Sequence, residues 1–137
     1  MDKIYLHKNN NFELILEKNN LYFKIISVDF NKEDYLNFLE KTELFFEKCK
    51  EKDLVFIFII DVTKVSILSI KNIFGYTYNT SIFLKKHDPF FEKYLIKTII
   101  VMKNKFNKKI FEYLFQFYKP IKPIEFCEDY EQIENHL

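Results

Sequence analysis

A chain of 137 residues, 48% apolar and 30% charged, can bury roughly two-thirds of the surface its unfolded form exposes, and leaves no room for a second domain. A net charge of +1 excludes a global electrostatic drive towards nucleic acid. All 21 basic residues are lysine, so any anion site lacks the bidentate arginine fork and must use lysine, hydroxyls or backbone N–H groups.

The first predicted element is a hairpin. Two extended runs, Phe12 to Lys18 and Leu21 to Val28, flank Asn19-Asn20, whose side chains tolerate left-handed turn geometry. An amphipathic helix follows, with Tyr35, Phe38, Leu39, Thr42, Phe46 and Cys49 on one face. Asn31 is its cap, and Asp34 at the third helical position makes a capping-box variant. Leu54 to Ile60 has no polar alternation and reads as a central strand buried on both faces.

A second helix is predicted from Ser69, keeping Ile70, Ile73, Phe74, Thr77, Ser81 and Leu84 together and ending at "KKHDP", where Pro89 prevents continuation. His87 and Asp88 read there as a helix-terminal cation and a turn aspartate. Gly75 inside this helix costs roughly 1 kcal/mol of propensity, which suggests close packing against the sheet. "YLIKTIIVM" is another strand, "NKFNKKIFEYLFQFY" a third helix, "IEFC" a short strand and "EDYEQIENHL" a closing helix. The order β-β-α-β-α-β-α-β-α implies a single α/β domain over residues 1–137, with a mixed, largely parallel sheet covered by helices.

Seventeen Phe and nine Tyr against one Gly, no Arg and no Ala follow codon bias, and point to an AT-rich genome: a large DNA virus, a protist or an AT-rich bacterium. Cys49 and Cys127 sit in apolar patterns and are expected to be free buried thiols in a reducing compartment. No signal-peptide pattern and no apolar run of membrane-spanning length occurs, so the cytoplasm, or the host cytoplasm or virion of a virus, is the expected location.

Chemistry-bearing motifs are sparse. His7, His87 and His136 form no metal or triad spacing, one glycine cannot make a phosphate loop, and two cysteines cannot make a zinc cluster. The chain is therefore expected to be non-enzymatic and to need no cofactor. Seven lysines lie between Lys97 and Lys122 and five acids between Glu125 and Glu134. The first group reads as a solvated face, and nucleic acid is not an expected partner.

The sequence also resembles a known family. "IIDVTKVSILSI", the strand, helix, short strand and helix from Tyr94 to Leu137, and the N-terminal hairpin before a long charged helix are similar to the STAS domain superfamily, in particular the small SpoIIAA-like (STAS/Sec14-like) proteins. The resemblance implies a protein-interaction or regulatory module, binding a protein partner or itself through Asp61, Thr63, Ser66, Ser69 and the following helix. In the family's anti-sigma-factor antagonists, a serine in this loop is phosphorylated. Aligning Asp61 and Val65 with that pattern places Ser69 one residue before the phosphosite and Ile70 on it. The Sec14 side of the resemblance implies an alternative, a small lipid or apolar-ligand binding protein without the family's gate helices. From the residues alone, Asp61 is a strand-end carboxylate accepting hydrogen bonds from its own loop.

Overall fold

The computed structural model, which describes residues 3–27, 31–65, 70–103 and 105–137, begins with three antiparallel strands, β1 (Ile4–Lys8), β2 (Phe12–Glu17) and β3 (Asn20–Ile25). The β2–β3 hairpin is the expected one, but its left-handed residue is Lys18, at φ 57°, while Asn20 already pairs with Glu17. β1 is an addition to the sequence reading. As an edge strand it leaves Ile4 and Tyr5 exposed, and so lacks the half-buried alternation by which a strand is recognised. Asn9 turns it onto β2, its Oδ1 accepting from the N–H groups of Asn11 and Phe12 at 2.8 Å each.

Helix α1 (Lys32–Lys52) starts as its sequence dictates: Asn31 Oδ1 accepts from Asp34 N at 2.9 Å. The capping box stays half closed because the Asp34 carboxylate accepts from Asn11 Nδ2 at 2.9 Å, tying the helix to the first turn. Strand β4 (Phe56–Asp61) then enters parallel to β3, and β5 (Leu95–Val101) and β6 (Ile124–Cys127) follow in parallel. Leu54 and Val55, expected within the strand, precede it and stand 49% and 48% exposed. The sheet order β1-β2-β3-β4-β5-β6 is simply chain order.

Between β4 and β5 run two helices where one was expected, α2 (Ile70–Lys86) and α3 (Asp88–Tyr94). Pro89 does end α2, but it sits in the first turn of α3, where no N–H donor is needed. Gly75 is exposed, and a Cβ built on it would meet nothing within 4 Å, so close packing is not its reason for being there. Helices α4 (Lys105–Phe117) and α5 (Tyr130–Ile133) complete the chain, the latter shorter than expected and capped by Asp129.

Alternation along the strands separates two faces. Phe56, Phe58 and Ile100 point to the side occupied by α1, α2, α3 and α4; Ile57, Ile59, Ile99, Val101 and Cys127 point to the other, where Ile133 of α5 meets them. Parallel strands laid down in chain order through crossovers of one hand leave their helices on one side. The helix side is dense with rings, including Phe46 to Phe90 at 4.5 Å and Phe23 to Phe38 at 4.4 Å between centroids. Each such pair contributes about 0.5–1.5 kcal/mol beyond the area it buries. β4 is buried on both faces, as its unbroken apolar run foretold.

Candidate functional site

Asp61 closes β4 on the side away from the main helices, and only 8% of its surface is exposed. Its Oδ1 accepts from Thr63 N at 2.9 Å and Thr63 Oγ1 at 2.7 Å, the loop-holding pattern of a turn aspartate. Oδ2 accepts from Tyr130 OH at 2.6 Å, a contact across 69 positions that no local pattern encodes. Burial and donation to Asp61 push the Tyr130 phenol far above its ordinary value. The ring of Tyr130 stacks on Tyr22 and lies 4.8 Å from Lys24 Nζ. Asp61 and Thr63 are thus brought together as a structural knot. Ser66 and Ser69, the other residues of the expected interaction loop, lie outside the described residues.

The last described residue of that loop before α2, Val65, is also held. Asn107 in the first turn of α4 is fully buried, donating from Nδ2 to Val65 O at 3.0 Å and accepting from Lys103 N at 3.1 Å. Asparagine early in a helix is a general signal for such side-chain to backbone bonds, but not for its partner.

The histidines go to separate places. His87 is no helix-terminal cation: it sits among Phe46, Phe83 and Phe91, and burial lowers its pKa despite Glu43 Oε2 at 3.3 Å. Asp88 accepts from Tyr118 OH at 2.7 Å. His136 Nδ1 lies 2.6 Å from Glu125 Oε1, while Lys97 Nζ bridges Glu125 Oε2 at 2.8 Å and the His136 carbonyl. Bonds from Lys97 and His136 hold the Glu125 carboxyl below its ordinary value. This trio fastens the closing segment over the sheet. Both cysteines are free and buried, and burial raises their thiols, that of Cys49 to about 11.

The concave feature the sequence did not locate lies inside the helix side. A cavity of about 170 Å³ runs between the sheet and α1, α2 and α4, lined by residues such as Phe23, Tyr35, Phe58, Thr98, Phe111 and Leu114. Its wall is almost wholly apolar, and three of its hydroxyls are already used. Thr42 donates to Phe38 O and Thr80 to Tyr76 O, and Tyr35 OH lies 2.6 Å from Thr80 Oγ1. At the other extreme the lining reaches Pro120, Ile121 and Lys122, of which Ile121 is exposed. A broader depression beside Met102, Lys105, Lys108 and Phe126 opens to solvent and carries three lysines, so it would not desolvate an apolar molecule.

No protein-family model matches the chain, nor does any curated protein or any solved structure. No helix among the described residues is long and apolar enough to cross a membrane.

Proposed function

We propose that the chain is a non-enzymatic binding protein for a small apolar molecule, held between the sheet and helices α1, α2 and α4. One observation carries this reading, the apolar cavity of about 170 Å³. Interiors are close-packed, and an apolar void of that size left empty would cost about 4 kcal/mol at ~24 cal/mol per Å³. That is a large share of a total stability of about 5–15 kcal/mol, and an occupant recovers it. A void of ~150 Å³ holds a benzene ring, which sets the scale of the ligand. This is the Sec14-like alternative in reduced form. Free thiols fit a reducing compartment such as the cytoplasm of a cell or of a virus's host.

Native mass spectrometry of gently purified protein, followed by calorimetric titration with the benzene-sized apolar probe toluene, tests the proposal. A reproducible small apolar adduct, or saturable toluene binding that is lost when Thr98→Leu and Leu114→Phe fill the cavity, supports it. Ligand-free protein that binds no toluene sinks it.

A second reading, the STAS-like interaction module acting through Asp61 to Ser69 and α2, is favoured by Tyr78 and Ile82, one helical turn apart on α2 and each 51% exposed. Sedimentation equilibrium decides here. A dimer that Ile82→Glu dissociates would support this reading, and a monomer at every concentration would end its homodimer form.

A further inference from the structure

Resting on the reading of the cavity as a ligand site, we infer that its ligand is a single-chain carboxylate of about six to ten carbons, its tail in the cavity and its head at Lys122. Among the described residues lining the cavity, Lys122 alone carries a charge. It is half-buried and makes no ion pair among the described residues, unlike Lys50, Lys86 and Lys97. It also stands at the wet end: Ile121 beside it is the one exposed residue among the described residues of the lining, which puts the mouth where the chain passes from α4 to β6.

The two ends therefore ask for different chemistry. The inner wall offers mainly rings and aliphatic groups, and the hydroxyls of Tyr35, Thr42 and Thr80 are committed to one another or to helix carbonyls, which suits a hydrocarbon and would penalise a second polar group. At the mouth, half-buried Lys122 is the residue that can supply a cation, and an ammonium that meets an anion partly removed from water makes a strong charge-assisted bond. With one cation a singly charged head is matched. The volume excludes two acyl chains: about 170 Å³ compares with the ~150 Å³ that accepts benzene, so a short or medium single chain fills it.

Calorimetric titration of the delipidated full chain with octanoate, octanol and octylammonium tests the head. Octanoate should bind roughly tenfold more tightly than octanol, octylammonium more weakly than either, and Lys122→Met should bring octanoate down to octanol. The series from hexanoate to dodecanoate tests the tail: affinity should rise about fourfold per methylene and level off once the cavity is full. Equal binding of octanol and octanoate, unchanged by Lys122→Met, overturns the head assignment and leaves the apolar-ligand reading intact. An increase that continues through dodecanoate without levelling overturns the tail assignment. Failure of all three eight-carbon probes, together with toluene, overturns both this inference and the reading beneath it.

Discussion

The two faces of the sheet are closed by different physics. On one side four helices contribute rings and aliphatic groups, the packing is almost purely apolar, and a cavity remains beneath it. On the other, one turn of helix and the residues after it cover Ile57, Ile59, Ile99 and Val101, with Ile133 as the buried plug. A cover so small buries too little area to hold itself, and it is pinned by polar ties, Tyr130 to Asp61 and His136 with Lys97 to Glu125. Broad apolar layers tolerate a void; a short segment needs specific bonds.

Removing a ring from the broad layer should have the largest effect. Phe46, 1% exposed and in contact with the rings of Phe56, Phe83, Phe90 and Phe91, should lose about 3–5 kcal/mol as Phe46→Ala by denaturant unfolding. The equivalent cut in the short cover, Ile133→Ala, should cost about 2–3 kcal/mol and, unlike the first, should make the Cys127 thiol beneath it react faster with a disulfide reagent in native buffer. If Phe46→Ala exposes Cys127 equally, the two faces open together and the contrast fails. Tyr130→Phe removes only the tie, leaving a buried carboxylate oxygen unsatisfied, and should cost about 1–3 kcal/mol.

A pH comparison separates the faces more finely. His87, on the helix side, binds its proton less tightly folded than unfolded because burial lowers its pKa, with Lys86 and Lys50 lowering it further and Glu43 opposing them. Its contribution to stability is therefore complete above about pH 6.5 and is lost as pH falls through that value towards the folded one. Between pH 7.5 and 5.5 the native protein should lose more stability than His87→Gln, by less than about 1.4 kcal/mol per pH unit, the limit for one proton. Glu125, on the other side, is held below its ordinary value of 4.5, so its contribution persists to lower pH and is lost only as pH falls below about 4.5. The smallest effect is a gain: Gly75→Ala, in a helix with open space around it, should add about 0.5–1 kcal/mol without touching the cavity.

Local pattern carried much of the fold. Asn31 marked the start of α1, the unbroken run before Asp61 marked a strand buried on both faces, and "IEFC" marked β6 residue for residue. It failed where the deciding neighbours are distant. β1 earned no recognition because an edge strand owes its pairing to β2 and not to its own alternation. Pro89 was read as a stop when it is also a start, since both roles need only a residue without an N–H donor. His87 looked like a surface cation because nothing in "KKHDP" reports the three rings that α1, α2 and α3 bring around it.

The same division holds for the site. By itself the sequence determined that Asp61 would accept from its own loop, as it does from Thr63 two residues on, because a carboxylate at a strand end reaches nearby N–H groups in any fold. Only the tertiary structure decided that Tyr130 would complete that carboxylate, that Asn107 would hold Val65, and that Lys122 would line one cavity with Phe23 and Tyr35. Those neighbours are set by strand order and by the side of the sheet each crossover takes, and neither is written in the spacing of residues along one helix or strand.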